Sequence, residues 1–388
     1  MLNFEYDNKT KIIFGKGTEN EVGNYTKLYG KKVLLHYGRN SIKKYGLYDK
    51  VVASLKANNI DYVELGGVQA NPRLKLAKAG IELTKKENVD FILAVGGGSV
   101  IDSAKAIALG HYYDGDVWDF YLKGIRPEKV LPVGVVLTIP AAGSESSTAT
   151  VISDEETGLK RGYGDVSLRP KFAILNPELT YTLPNYQTSC GVVDIIGHVI
   201  ERYMTNTTDV ELTDRLCESV ITTVINNAPK ALNDNTDYAS RAEIMWAGAL
   251  AHNGLVGTGR EEDWASHGME HQLSAVYDIA HGAGLAIMYP AWMKFVYKHD
   301  LNRFALFANK IFGLEINNSN LEETALKGIA KLEEFYKSID MPIRMSDINI
   351  TDENINIMAE KATHTSDIIG SFVKLNKQDI INIYKLAL

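Results

Sequence analysis

Three of the chain's nine histidines fall between Trp264 and Gly284. His267 and His271 stand four apart, a spacing that puts two side chains on one face of a helix. His281 comes after a break and is followed by Gly282-Ala283-Gly284, small residues that let backbone or ligand come close. Histidines so spaced are candidate metal ligands, and equally they are ordinary polar helix residues. Asp194 and His198 repeat the four-residue spacing further upstream. Asp194 lies between Val192-Val193 and Ile195-Ile196, where a bare carboxylate is costly and needs a partner or a metal. One carboxylate with imidazoles from two helices suits a divalent first-row metal, Fe(II) or Zn(II), with a position left open for substrate. On spacing alone His267 and His271 are equally good ligands.

A glycine turn points to a second chemistry. Residues 91–95 read as a buried strand and Val100 onward as a helix, with Gly96-Gly97-Gly98-Ser99 between them. Amides that open a helix bind anions, and glycines admit a pyrophosphate. There is no Walker lysine, and the spacing is not the three-glycine dinucleotide fingerprint. The same residues fit a plain tight turn with Ser99 and Asp102 as a capping-box-like pair. Thr138, Ser144 and Ser147 follow another strand, where their hydroxyls could bond a ribose or nicotinamide or simply form a polar loop. After the strand at 32–37 come Gly38-Arg39-Asn40-Ser41, then Lys43 and Lys44, with no Asp or Glu among them. An acid there would hold a ribose 2′-hydroxyl, so its absence favours NADP(H) over NAD(H).

These groups must be positioned by a larger frame. Strands are expected at 12–14, 32–37, 61–65, 91–95, 133–139 and 172–175, alternating with helices such as 47–58 and 73–87. Thr18 is a candidate cap for a helix from Glu19. Alternation of this kind argues for a mostly parallel sheet covered on both faces. The second half is helix-periodic at 192–204, 212–226, 240–253, 264–276, 321–338 and 378–386, and suggests no strand. Pro177 and Pro184 punctuate the change, so domains are expected at 1–183 and 184–388.

Composition narrows the function. A chain of 388 residues with 45% hydrophobic and 23% charged content is an ordinary globular protein of two or three domains. A net charge of −7 argues against a nucleic-acid binder. Two cysteines imply no disulfide framework and a reducing compartment. With no basic, apolar leader in view, a cytoplasmic location is expected. The apolar stretch at 285–296, interrupted by Pro290 and Lys294, is too short to span a bilayer.

Taken in order, five motifs resemble the iron-containing (group III) alcohol dehydrogenases from about Phe4 to the C-terminus. They are Gly15-Lys16-Gly17, Gly96-Gly97-Gly98-Ser99-x-x-Asp102, Thr138-x-Pro140-x-x-Gly143-Ser144-Glu145, Asp194-x-x-x-His198, and His267-x-x-x-His271 with the later His281-Gly282. The likeness is closest to the butanol dehydrogenase and broad-specificity aldehyde reductase branch. It implies a dehydroquinate synthase-like fold: an α/β N-terminal nucleotide-binding domain on a mostly parallel, Rossmann-like sheet, an all-α C-terminal domain, and an active site between them. It implies Asp194, His198, His267 and His281 as metal ligands, with His271 near the substrate without ligating. Gly97, Gly98 and Ser99 would hold the pyrophosphate, and Asp102, Thr138 and Ser144 would line the nicotinamide side. Gly38, Ser41 and Ser147 are further cofactor candidates, and Lys160 matches a cofactor-contacting lysine of the aldehyde reductases. That branch has Asn where Ser147 stands and a glycine-rich turn where Arg39 and Asn40 stand.

The implied reaction is hydride transfer between a nicotinamide and a primary alcohol or aldehyde such as butanol or butanal, with the metal as Lewis acid at the substrate oxygen. His271 either relays the proton or merely neighbours the site. A homodimer is expected. A glycerol-type polyol dehydrogenase, or a dehydroquinate synthase relative, would need extra cations at the metal end, and none cluster beside His267 and His281 in sequence. A metal-dependent hydrolase would have no use for the turn at Gly96.

Overall fold

The computed structural model describes residues 1–364 and 366–388. They form two compact units, one of Asp7–Leu183 with Asn235–Asn253, the other of Met1–Tyr6, Pro184–Asp234 and Gly254–Leu388. The first unit runs β1 (Lys11–Phe14), α1 (Val22–Thr26), β2 (Lys32–Tyr37), α2 (Ser41–Lys44), α3 (Leu47–Ala57), β3 (Asp61–Leu65), α4 (Leu74–Lys86), β4 (Phe91–Gly96), α5 (Gly98–His111), α6 (Trp118–Lys123), β5 (Val133–Leu137), β6 (Ala149–Asp154), β7 (Leu159–Gly164) and β8 (Phe172–Leu175).

Six strands form a parallel sheet in the order β1-β8-β5-β4-β2-β3. β4 and β5 are buried along their whole length. Helices cover both faces, which is why these strands read as unbroken apolar runs rather than as alternation. The two-residue period still sorts their side chains. Ile92 and Ala94 pack with Leu34, Val133 and Val135 against Ala77 of α4 and Ala104 of α5. Phe91, Leu93 and Val95 pack with Val33 and Leu35 against Val51 and Leu55 of α3. β2 and β3 lie to one side of β4, β5 and β8 to the other, so strand order reverses between β2 and β4. Ligands of such sheets bind beyond the carboxyl ends at that reversal.

Three sequence expectations change here. β6 and β7 form an antiparallel hairpin in a stretch where no strand was expected. Asp154 closes its turn by accepting from Glu156 N at 3.2 Å and Thr157 Oγ1 at 2.6 Å. Gly162 and Gly164 dilute the strand signal in β7. Thr18 caps no α-helix: Thr18–Glu21 is a short 3₁₀ turn, and Thr18 Oγ1 donates back to Gly15 O at 2.9 Å. Ser99 and Asp102 form no capping box, because the N-cap of α5 is Gly97 and it has no side-chain cap.

From Pro184 the chain is helical: α7 (Asn185–Tyr203), α8 (Glu211–Asn233), α9 (Tyr238–Ala251), α10 (Ala265–Tyr277), α11 (His281–Val296), α12 (Leu301–Phe312), α13 (Leu321–Ser338), α14 (Ile355–Ala362) and α15 (Lys377–Leu386). Among the described residues no strand follows β8, only an isolated bridge between Ile369 and Leu375. A single cut at 183/184 overlooks two exchanges. α9 belongs to the sheet unit, where Met245 and Ala249 fill the core and Ser146 Oγ donates to Ala249 O at 3.1 Å. Residues 1–6 belong to the helical unit, where Leu2 N donates to Gly259 O at 2.8 Å. Helical periodicity does not report which core a helix completes. No helix among the described residues is long and apolar enough to cross a membrane.

Candidate active site

In the sheet unit, the expected cofactor residues gather at the carboxyl ends of adjacent strands. Gly38 follows β2, Gly97-Gly98-Ser99 follow β4, and Thr138 follows β5, with its N–H bonded to Gly96 O at 3.0 Å. A Cβ on Gly97 would lie 2.9 Å from Ile139 Cβ, so only glycine fits this close approach. The opening amides of α5 have no partners within the helix, as at any helix start. Asp102 holds the next loop rather than capping: it accepts from Ser144 Oγ at 2.6 Å and from Val151 N at 3.0 Å. Lys160 is buried on β7 and donates to Asn71 Oδ1 at 3.0 Å. Ser41, at the start of α2, is exposed.

Sequence reading passed over Lys105. Its ammonium is fully buried and donates to Ser144 O (2.8 Å), Ser144 Oγ (3.0 Å), Ser147 O (3.0 Å), Ser147 Oγ (3.3 Å) and Ala149 O (2.7 Å). Burial pulls its pKa down to about 8 and pushes that of the neighbouring Glu145 carboxyl up to about 7. The loop bearing Ser144 and Ser147 is therefore fastened from beneath by one cation. Its only sequence signal was a lysine in the apolar Ser103–Leu109 segment of α5, where a charge must find partners.

In the helical unit, α7 contributes Asp194 and His198, α10 contributes His267 and His271, and α11 opens on His281. Nε2 of His198, His267 and His281 lies 3.3, 4.0 and 3.7 Å from the same atom, Asp194 Oδ1. Donors around a tetrahedral ion with bonds near 2.1 Å stand about 3.4 Å apart. His267 Nε2 is buried and has no hydrogen-bond partner among the described residues. Asp194, His267 and His281 group closely enough for one ion, while His198 approaches Asp194 but falls outside that group. His271 stands beside them, its ring 5.6 Å from that of His281 and 6.3 Å from that of His267.

Two buried glutamates, also passed over in the sequence, set the rings. Glu201 Oε1 accepts from His267 Nδ1 at 2.8 Å and from His267 N at 3.0 Å. Tyr289 OH lies 3.1 Å from the same Nδ1 and donates to Gly197 O at 2.8 Å. Glu270 accepts from His281 Nδ1 with one oxygen and from Ser274 Oγ with the other. A carboxylate on Nδ1 leaves the Nε2 lone pair for a metal. Glu270, His271 and His281 also group closely enough to suggest a second ion site. Each oxygen of Glu270 already accepts one hydrogen bond, contacts that suit orienting His281. Glu201 follows His198 by three residues and Glu270 follows His267 by three, the helical spacing that could have marked them.

Glycines at the carboxyl ends of a parallel sheet, and imidazoles around one carboxylate, are parts that an oxidoreductase would use. Comparison with known proteins points the same way. The profile of the iron-containing alcohol dehydrogenases matches residues 9–177, and that of the C-terminal region of the same Fe-containing family matches 188–388. The chain is 44% identical over 388 residues to a probable NADH-dependent butanol dehydrogenase of Bacillus subtilis (strain 168), covering 100% of both. It is 36% identical to an NADPH-dependent aldehyde reductase of Escherichia coli (strain K12), covering 93% of each. The crystal structure of NADH-dependent butanol dehydrogenase A from Thermotoga maritima superposes with a TM-score of 0.96 at 41% identity, covering 100% of this chain and 99% of that one. The chain belongs to the iron-containing alcohol dehydrogenase family and is an alcohol oxidoreductase.

Proposed function

We propose that this chain transfers hydride between NAD(P)H and a primary aldehyde or alcohol of the butanal/butanol type, with Asp194, His198, His267 and His281 holding one divalent ion. The convergence of three imidazole Nε2 atoms on Asp194 Oδ1 carries this reading. When bound, the ion supplies the Lewis acidity that polarises the substrate oxygen. The donor set suits Fe(II) and Zn(II) alike, and the family description favours iron.

The chain's own residues supply the rest. Glu201 and Glu270 keep two rings in ligating orientation. The amides of Gly97, Gly98 and Ser99 cradle the pyrophosphate. Lys105 and Asp102 fix the loop that brings Ser144 and Ser147 to the nicotinamide side, with Thr138 and Lys160 beside it. His271 passes the proton between substrate oxygen and solvent, a role supported by its half-buried ring next to His281.

The turn at Gly38–Ser41 decides between cofactors. NADPH is favoured because the turn carries Arg39 and Ser41 and no carboxylate. Against this, Lys43 is paired with Glu64 at 3.3 Å, and the relative at 44% identity is named NADH-dependent. The free thiols Cys190 and Cys217 fit a reducing cytoplasm, and the expected homodimer is read by sedimentation. The whole reading is tested by following oxidation of NADPH and of NADH with butanal, before and after chelation and after metal is restored. Loss on chelation and recovery with Fe(II) or Zn(II) is the expected result. Oxidation that ignores the chelator overturns it.

A further inference from the structure

Trp264 stands immediately before α10, three residues from His267, with a left-handed backbone at φ 68° and ψ 8°. That conformation is strained for a bulky residue and persists only where the surroundings enforce it. Glu201 does so here. Its Oε2 accepts from Trp264 N at 2.9 Å, while its Oε1 holds the ring of His267. The indole is held separately. Its Nε1 donates to Glu262 Oε2 at 2.7 Å, and Glu262 Oε1 pairs with Arg202 Nε at 2.9 Å. The Arg202 guanidinium lies 4.8 Å from the indole ring, and its Nη1 donates to His198 O at 2.6 Å. Indole and imidazole meet at steep angles, 64° with His267 at 5.1 Å and 67° with His198 at 5.6 Å between centroids.

We propose that Trp264 is a positioning residue for the ion, one that holds the imidazoles of His198 and His267 in ligating orientation. This rests on the metal-site reading above. Rotation of an imidazole about χ2 is broad and soft, so a ring stays aimed only if its flanks are filled. The indole fills the flank of one ligand from α7 and one from α10, and is itself clamped by Arg202 and Glu262. A wall that selected substrate would need no such clamp and no shared carboxylate.

The test is metal affinity, measured by competition with a chelator on metal-free protein titrated with Zn(II), together with tryptophan fluorescence during titration with Co(II). Neighbours that orient metal ligands typically contribute about 10–100-fold in affinity. Trp264→Phe should lose affinity in that range and shed the ion faster, while the KM for butanal stays unchanged. Co(II) should quench wild-type fluorescence, and the quench should vanish in Trp264→Phe although Trp118, Trp246 and Trp292 remain. Trp264→Gly relieves the left-handed strain and provides a folded variant should the Phe protein unfold. Wild-type affinity in these variants, with Asp194→Ala unable to bind, overturns the role of Trp264 alone. A wild-type protein that binds no ion, or an Asp194→Ala protein that binds as well as wild type, removes the metal site and this role with it.

Discussion

One added methyl at Gly282 should disable the proposed metal cluster without unfolding the protein. A Cβ there would lie 2.1 Å from Cys190 O and 2.6 Å from Cys190 C, against an ordinary contact of 3.4–4 Å. α11 would therefore have to withdraw from α7 by more than about 1 Å at this crossing. Gly282 is the residue after His281, and Cys190 lies one turn before Asp194. The displacement falls on the 3.7 Å separation between His281 Nε2 and Asp194 Oδ1. Metal–ligand distances tolerate about 0.2 Å. Overpacking of this kind costs about 1–3 kcal/mol, which a chain of this size survives with a lower Tm. Gly268→Ala is the control. Its Cβ would meet Ile369 Cδ1 at 3.8 Å, an ordinary contact, on the helix that bears His267. Alanine for glycine inside a helix stabilises by about 0.5–1 kcal/mol. Both variants are reconstituted anaerobically, and bound metal and Tm are measured. Gly282→Ala should bind substoichiometric metal with a lowered Tm; Gly268→Ala should bind a full equivalent. A Gly282→Ala enzyme with full metal and wild-type turnover would refute the idea that helix approach sets the cluster.

Asp194→Ala should lose both metal and turnover while keeping its far-ultraviolet dichroism, because the carboxylate is the point on which three rings converge; full metal content in the variant contradicts this. Gly38→Asp should raise the kcat/KM ratio for NADH over NADPH, since a carboxylate repels the 2′-phosphate. A Cβ at Gly38 has room, with Val68 O at 3.7 Å and Val100 Cγ2 at 3.9 Å, and an unchanged ratio in a variant with wild-type Tm counts against this. His36, wholly buried between Leu65 O and Ser103 Oγ, has its pKa pulled by burial from 6.5 to about 4. In that window the unfolded chain takes up a proton that the folded one refuses, so stability falls as pH drops from 6.5 towards 4, by about 3 kcal/mol. His36→Gln should flatten this slope in denaturant melts; an equal slope in both proteins counts against it.

What the sequence revealed depended on burial. The inner strands β2, β4, β5 and β8 stood out because both faces are covered, which leaves runs such as Phe91-Ile92-Leu93-Ala94-Val95 with no polar interruption, whereas the edge strands β1 and β3 are partly exposed. The hairpin β6–β7 lacked that signature. Asp194 was legible because a carboxylate among valines and isoleucines has to be compensated. Spacing could not rank His267 above His271, since residues four apart share a helix face. What separates them in the structure is Glu201 on another helix, whose Oε1 lies 2.8 Å from His267 Nδ1. Nothing local marks the left-handed backbone of Trp264, because its cause is the same distant carboxylate.

The cluster also gathers buried carboxylates whose charge a bound cation would offset. Asp194, Glu201 and Glu270 are 5%, 0% and 0% exposed and lie around three imidazoles. Arg202, the nearby buried guanidinium, is paired with Glu262. Burying a carboxylate costs several kcal/mol, which its partners have to offset. A divalent ion therefore has more to do than catalysis: it should stabilise the helical unit before any dinucleotide is present. Binding to the folded state alone adds about 4 kcal/mol when the ion is at roughly a thousand times its Kd. The Tm of metal-free protein should accordingly rise with Zn(II) concentration in the absence of cofactor, and Asp194→Ala should show no rise. A nicotinamide cofactor added afterwards, bound as proposed at the glycine turn of the sheet unit, should shift the Tm of both proteins. A wild-type Tm indifferent to the ion would mean that these carboxylates are neutralised in some other way, and that the convergence on Asp194 is structural rather than metal-binding.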